Sequence, residues 1–265
     1  MKNLKSRIAI VLVFIFLPIP LSAIEPAIDN DNDDNSLLVL VSGLGGAKTW
    51  DSLISIMSND ESLKKFDVYL FDSLDTGGGI RQSSAQLKRF LESDRLSVYK
   101  EVQIVAHSIG GIITKDYLLD RLETSSPSEM REKYVLFIGT PHIKDTFNPS
   151  FLQKVYAYVF YFTLSDLAKD ALNSPEIKDI NKNWISIVES NDSKRIKNMA
   201  LFGNDDNVVR PEDLSEIFVG EYLVIQGTHL GIAQSSGEFG CTYQIIRRKL
   251  LNPDSSLADL NCSAD

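Results

Sequence analysis

Six short apolar segments, separated by longer stretches with helical periodicity, constrain the fold of this 265-residue chain more than any other feature. Each is four to six residues long, carries β-branched or aromatic side chains and is apolar on both faces, as strands buried between two helical layers are. They span residues 37–41, 66–71, 102–106, 134–138, 199–202 and 222–225. Amphipathic helices are predicted between them, for example over 83–96 and 112–122. This alternation predicts an α/β fold with a mostly parallel central sheet and helices on both faces.

Composition narrows the class of protein. Hydrophobic residues make up 43% of the chain and charged residues 24%, which argues against a disordered tail, a fibre and a multi-span membrane protein. The net charge is −9 and the basic residues are scattered, so nucleic acid is not expected as a partner. Two cysteines are too few for a disulfide-rich scaffold or a four-thiolate zinc site.

The N-terminus has the order of a secretory signal peptide. Residues 2–7 include three basic and no acidic side chains, residues 8–17 are all apolar, and the small residues Ser22 and Ala23 follow Pro18. The apolar run is shorter than the roughly 20 residues that a spanning helix needs. We therefore expect residues 1–23 to be cleaved after Ala23 and the protein to be exported, to the periplasm or the cell exterior. The alternative is an uncleaved N-terminal anchor.

Two further segments are interpreted in the light of export. Residues 24–36 are rich in Asp and Asn and predict a solvated acidic leader; a calcium loop would need a glycine and a closing glutamate that are absent.

Cys241 and Cys262 lie near the C-terminus, so in an oxidising compartment we expect a disulfide between them that holds the tail. The alternative is two unpaired thiols.

An insertion interrupts the single domain that residues 37–265 are predicted to form. It covers about 143–198, between the fourth and fifth strands, and contains the aromatic run 151–162. A helix over that run would be apolar on two faces. It either packs in the core or forms a cap or lid that contacts a lipid substrate or a membrane surface.

The strongest chemical signal is the segment 102–111, Val-Gln-Ile-Val-Ala-His-Ser-Ile-Gly-Gly, in which a buried strand runs through a sharp turn into a helix. It matches a Gly-x-Ser-x-Gly nucleophile elbow, with Ala106 in place of the first glycine. Strand and helix approach closely in such a turn, which requires small residues such as Ala106 and Gly110. Ser108 is therefore a predicted nucleophile; the alternative is an ordinary strand-to-helix turn.

A serine nucleophile needs a general base and an acid that orients it. Of the three histidines, His107 adjoins the serine and should point away from the reacting face, and His142 precedes the candidate acids. His229 follows the last strand, which gives the order Ser, Asp, His that elbow enzymes use, and it is the predicted base. Asp205 and Asp206, after the fifth strand, are the candidate acids.

The developing oxyanion needs two backbone N–H donors. Ile109, directly after the nucleophile, is one predicted donor, and Leu44 in the glycine-rich loop 42–46 is the other. The same loop could suggest a phosphate-binding site, but the Lys-Ser/Thr of a P-loop and the spacing of a dinucleotide fingerprint are missing.

Five segments together resemble the α/β-hydrolase superfamily: residues 41–46, 105–111, 139–142, 203–206 and 228–229. The resemblance extends over about residues 37–232 and is closest to the lipase and serine-esterase branch that includes the GPI inositol-deacylase-like proteins. It implies Ser108 as nucleophile, His229 as base and Asp206 as acid, because the family pattern places the acid three residues after the glycine that ends the strand. It also implies that His142 lies near the site mouth, where it orients a lid or anchors a loop. Ser42 departs from the pattern, where a histidine is usual, and so does Ala106.

These observations predict an exported serine hydrolase that cleaves carboxylic esters, acyl or lipid esters in particular, without a metal or an organic cofactor. A thioesterase or an acyltransferase would use the same groups. A non-catalytic protein that binds lipid or membrane on this fold is the alternative outside enzymes.

Overall fold

The computed structural model describes residues 25–30, 36–43, 45–72, 79–142, 175–190, 196–211, 218, 220–235, 237 and 240–256. Within these residues six strands form one sheet in the order β2-β1-β3-β4-β5-β6, and every neighbouring pair is parallel. The strands are β1 Ser36–Val41, β2 Phe66–Phe71, β3 Glu101–His107, β4 Glu132–Ile138, β5 Lys197–Gly203 and β6 Glu221–Ile225. All six predicted strands are confirmed, with bounds that differ by no more than two residues.

Five α-helices are present in the described residues: α1 Asp51–Met57, α2 Ile80–Leu91, α3 Ile109–Thr124, α4 Pro175–Glu189 and α5 Cys241–Leu251. Apolar side chains of α2, α3 and α4 pack on one face of the sheet, and those of α1 and α5 on the other. Alternate residues of β1 pack on opposite faces of the sheet. Leu37 and Val39 lie in the core under α2, α3 and α4, and Leu38 and Leu40 lie in the core under α1 and α5. The apolar character of the strands therefore follows from burial on both faces.

Helix α2 differs from the prediction of a helix over 83–96. It begins at Ile80, which is buried in the same core as Leu87 and Leu91, and it ends at Leu91. Leu96 reaches that core from a turn closed by its own amide and the carbonyl of Ser93. The apolar spacing continued past the end of the helix, so the pattern alone placed the helix too far along the chain.

The prediction that residues 24–36 form a solvated leader is wrong for residues 25–30, which contact β2. The amides of Ala27 and Ile28 both donate to the carbonyl of Val68, and Ile28 forms an antiparallel bridge with that residue. Ala27 and Ile28 also pack against the core on the α1 side. Because β2 is an edge strand, it has backbone groups available for this segment.

The predicted insertion 143–198 ends in a helix of the main domain. Helix α4 packs on α3 and places Ile177, Ile180, Trp184 and Val188 in or at the core, so this part of the insertion is not a cap. Residues 1–23 and the aromatic run 151–162 lie outside the described residues. No helix in the described part of the chain is long and apolar enough to cross a membrane.

Candidate functional site

Ser108 occupies the sharp turn between β3 and α3, at φ 55° and ψ −128°. It is the one non-glycine residue with a positive φ among the described residues. Holding such a backbone conformation costs about 1–3 kcal/mol, and it persists only where the surrounding structure enforces it. The strained turn that the sequence predicted at this serine is therefore present.

The elbow is enforced by close packing of α3 against the end of β1. A Cβ atom on Gly110 would lie 2.5 Å from the carbonyl oxygen of Ser42 and 2.9 Å from that of Val41. Both atoms are backbone, so they cannot move aside as a flexible side chain would. The requirement for a small residue two positions after Ser108 is thus a direct steric one.

Ser108 begins a chain of hydrogen bonds at the C-terminal ends of the parallel strands. Its Oγ lies 3.0 Å from His229 Nε2, and His229 Nδ1 lies 2.8 Å from Asp206 Oδ2. An ionised carboxylate only accepts, so Nδ1 carries the ring proton and Nε2 is left to accept from the serine hydroxyl. The side chains of His229 and Asp206 are 5% and 0% exposed, so the pair is shielded from solvent.

Asp206 is held in place from its other oxygen. Its Oδ1 accepts hydrogen bonds from the amides of Val208 (2.7 Å) and Val209 (2.8 Å). Asp205, the other candidate acid, is exposed, and its amide donates to the carbonyl of Gly227 at 3.2 Å. Of the two aspartates that the spacing left open, the structure brings Asp206 to the histidine.

His107 contacts the same histidine from behind, which the sequence did not predict. Its Nε2 donates to the carbonyl oxygen of His229 at 2.9 Å, and the two ring centroids are 4.9 Å apart. Burial lowers the pKa of His107 to about 3, with a further contribution from His229, so the ring is neutral. His107 therefore holds the backbone of the residue that contacts Ser108. The two partners are far apart in sequence, so no local pattern could reveal the contact.

The predicted oxyanion loop lies directly against the serine. A Cβ atom on Gly43 would lie 2.8 Å from Ser108 Cβ and 3.5 Å from the Ile109 nitrogen. Ile109 is the first residue of α3, where backbone amides are not used within the helix and the helix dipole favours negative charge. Leu44, the other predicted donor, lies outside the described residues.

His142, which the resemblance implied near the site mouth, is buried, and its ring packs against Phe137 and Phe202. Its Nδ1 lies 2.8 Å from Lys115 Nζ, which also donates to Asn181 Oδ1 at 2.6 Å. Burial lowers the pKa of Lys115 and of His142 well below their usual ranges, and the Lys115 charge adds to the effect on His142. The geometry favours the loop-anchor interpretation of His142. Lys115 was missed because lysines on helices are rarely buried.

The loop that His142 anchors passes beside the base. A Cβ atom on Gly139, whose φ is +51°, would lie 3.2 Å from His229 Nδ1. Glycine therefore lets this backbone pack against the imidazole. Among the described residues, no group of three His, Cys, Asp or Glu side chains is arranged to hold a metal ion.

Comparisons with known proteins support the fold. No family model and no curated protein sequence matches this chain. Solved structures do match. A lipase-esterase related protein from Clostridium acetobutylicum is 13% identical, with a TM-score of 0.53 over 86% of this chain and 97% of that one. A carboxylesterase from Nitrososphaera gargenis is 20% identical (TM-score 0.51; 82% and 90%), and naproxen esterase from Bacillus subtilis is 17% identical (TM-score 0.52; 82% and 84%). At such identities the likeness establishes the fold, and the chain has the α/β-hydrolase fold that the sequence predicted.

Proposed function

We propose that this protein is a serine hydrolase that cleaves carboxylic esters through an acyl-enzyme, with acyl or lipid esters as substrates. The observation that carries the proposal is the continuous hydrogen-bonded chain from Ser108 Oγ through His229 to Asp206. It lies at the C-terminal ends of parallel strands, where α/β folds place their sites. Nucleophile, base and acid are thus within hydrogen-bond distance before any substrate binds.

In the first half of the reaction, His229 Nε2 takes the hydroxyl proton as Ser108 Oγ attacks the ester carbonyl. The carbonyl oxygen becomes an oxyanion that accepts hydrogen bonds from the amides of Ile109 and Leu44. The C–O bond to the alcohol then breaks, and His229 gives its proton to the departing oxygen. In the second half, water attacks the acyl-enzyme with His229 again as base, which releases the carboxylic acid and restores the serine.

Asp206 holds His229 in the tautomer that this reaction requires. With one oxygen on His229 Nδ1 and the other on two backbone amides, the carboxylate has a single orientation. It stabilises the imidazolium that forms when the base takes up the serine proton. His107, through the His229 carbonyl, fixes the opposite side of the same residue.

Ester hydrolysis is preferred over the other reactions of this fold because the solved structures of similar fold include esterases and carboxylesterases. The triad itself serves esters and thioesters alike. Three further parts of the proposal rest on the sequence. They are export after cleavage near Ala23, contact of the 151–162 segment with lipid, and a place in the GPI inositol-deacylase-like branch. A phospholipase A with a TM-score of 0.53 to this chain is consistent with a lipid substrate.

A fluorophosphonate probe, which reacts with activated serines, tests the proposal. The unmodified protein is expected to label, Ser108→Ala to remain unlabelled, and His229→Ala to label at least a hundredfold more slowly. An unmodified protein that does not label, or a Ser108→Ala variant that labels equally, contradicts the mechanism and favours a non-catalytic binding protein.

The substrate class is tested with p-nitrophenyl esters of increasing acyl length and matched thioesters. Hydrolysis of medium and long acyl esters is expected. Activity confined to acetyl and butyryl esters contradicts the lipid assignment, and a preference for thioesters contradicts the ester assignment.

A further inference from the structure

Asp72 contacts both sides of the glycine loop that lies against Ser108. It directly follows β2, and its two carboxylate oxygens have different partners. Oδ1 accepts from the hydroxyl of Ser42 at 3.0 Å, and Oδ2 accepts from the backbone amide of Ala47 at 2.8 Å. Ser42 precedes the loop 43–46 and Ala47 follows it. One carboxylate therefore joins the start of the loop to its end.

The position of Asp72 is fixed by the sheet. Val41 is paired with Phe71 in the parallel register of β1 and β2, so Ser42 and Asp72 leave the sheet at the same level. The amide of Ser42 donates to the carbonyl of Phe71 at 3.0 Å, which extends the ladder by one bond. The carboxylate is consequently presented to the loop from a rigid strand end.

The described glycines of this loop leave no spare room against the serine. The amide of Gly46 donates to the carbonyl of Gly43 at 3.1 Å, and Gly46 has a φ of 65°. Gly43 approaches Ser108 so closely that even a methyl group would overlap Ser108 Cβ. A displacement of this loop by a fraction of an ångström would therefore change the distance between its amides and the reacting carbonyl.

We propose that Asp72 is a positioning residue that fixes both ends of the loop 43–46 and so holds Gly43 at its close approach to Ser108, beside the carbonyl that reacts. The inference rests on the proposed function, because it assigns Asp72 a role in that reaction. Asp72 acts through the loop and touches no reacting atom. Misplacing a catalytic group by about 1 Å can cost on the order of 100-fold in rate, and the loss falls on the transition state more than on substrate binding.

Steady-state kinetics of two variants separate this role from a general effect of charge. We expect Asp72→Ala to lower kcat about 30-fold on p-nitrophenyl butyrate while KM changes less than twofold. Asp72→Asn should keep kcat within about threefold, because its amide oxygen can accept from Ala47 and its NH₂ group can donate to the Ser42 oxygen. Asp120→Ala, which removes a carboxylate paired with Lys88 on the surface, is the matched control and should leave kcat unchanged.

Three outcomes would overturn the proposal: unchanged kcat in Asp72→Ala, a loss confined to KM, or equal losses in Asp72→Ala and Asp72→Asn. If Asp72→Ala does not fold, Ser42→Ala removes one of the two contacts and should lower kcat about fivefold; unchanged kcat in that variant also overturns it.

Amide hydrogen exchange tests the contact between Asp72 and the end of the loop without any measurement of activity. The Ala47 amide, bonded to Asp72 in the unmodified protein, should exchange at least tenfold faster in Asp72→Ala, and unchanged exchange overturns the proposal. If the unmodified protein hydrolyses no ester, the proposed function fails. The exchange measurement still shows in that case whether Asp72 holds the loop.

Discussion

His107 Nε2 donates a hydrogen bond to the backbone carbonyl of His229, 2.9 Å away, so the residue before the proposed nucleophile holds the proposed base. His107 ends β3 and His229 follows β6, 122 positions later in the sequence, and the two meet at the C-terminal edge of the sheet. The neutral state of His107 is essential to this arrangement, because a neutral ring donates from Nε2 without placing a second positive charge beside the His229 imidazolium.

Replacing the His107 donor should impair turnover. His107→Phe retains an aromatic ring but cannot donate to the His229 carbonyl, and we expect kcat/KM to fall about tenfold, as the loss of one buried hydrogen bond of about 1.4 kcal/mol implies. His107→Gln, whose Nε2 can replace the donor, should recover part of the loss. Equal activity of His107→Phe and the unmodified protein on p-nitrophenyl butyrate would contradict the positioning role.

The lowered pKa of His107 also predicts acid lability. Above about pH 6.5 the imidazole is neutral in both the folded and the unfolded chain. As the pH falls from about 6.5 towards about 3, the unfolded chain binds a proton that the folded chain does not, so the free energy of unfolding falls. His107→Phe lacks this linkage. The stability difference between the unmodified protein and His107→Phe, measured by urea unfolding, should therefore shift in favour of the variant between pH 7 and pH 4. A difference independent of pH would exclude His107 as a source of acid lability.

Asp206 and Asp205 offer a matched pair of substitutions. Asp206→Asn would present an amide to His229 Nδ1 and favour the wrong tautomer, so we expect kcat to fall on the order of 10⁴-fold. Asp205→Asn changes an exposed side chain one residue away and should keep kcat within about twofold. The measurement is the rate of p-nitrophenyl butyrate hydrolysis, and comparable losses in both variants would mean that the acid has been misassigned.

The steric demand at the elbow can be measured as stability. Gly110→Ala would place its Cβ 2.5 Å from a backbone oxygen of Ser42, so we expect a loss of about 2 kcal/mol or more in urea unfolding. Gly79→Ala is the control, because a Cβ at that position meets no atom within 4 Å. Unchanged stability of Gly110→Ala would show that strand and helix can separate at this turn.

The pairing of Cys241 with Cys262 stays a prediction, since Cys262 lies outside the described residues. Cys241 begins α5, which covers the sheet on the α1 side. Mass spectrometry of the exported protein after thiol alkylation should show no modification unless reductant is added. Reduction should lower the free energy of unfolding by about 3 kcal/mol, because a closed loop is released in the unfolded chain. Alkylation of both cysteines without reductant would contradict the disulfide.

Features that depend on residues close together in the chain could be predicted from the sequence. Strand positions follow from apolar runs, and the strained turn at Ser108 follows from small residues on either side, because local sterics and burial on two faces dictate both. The ordering of Ser108, Asp206 and His229 along the chain was also available, since parallel strands bring their C-terminal ends to one edge of the sheet. The end of α2 could not be predicted, because the apolar spacing of the helix continues into the turn that follows it.

The sequence by itself thus determined the sheet, the elbow and the residue types that the site requires. The family resemblance already implied Asp206 as the acid, and the structure places that aspartate against His229. Only the tertiary structure decided that His107 holds the His229 backbone and that Asp72 joins the two ends of the glycine loop. The packing of α4 against α3, and of residues 25–30 against β2, is likewise seen only in the tertiary structure. These contacts join segments distant in sequence, and their energy depends on distances of a few ångströms that periodicity and composition do not encode.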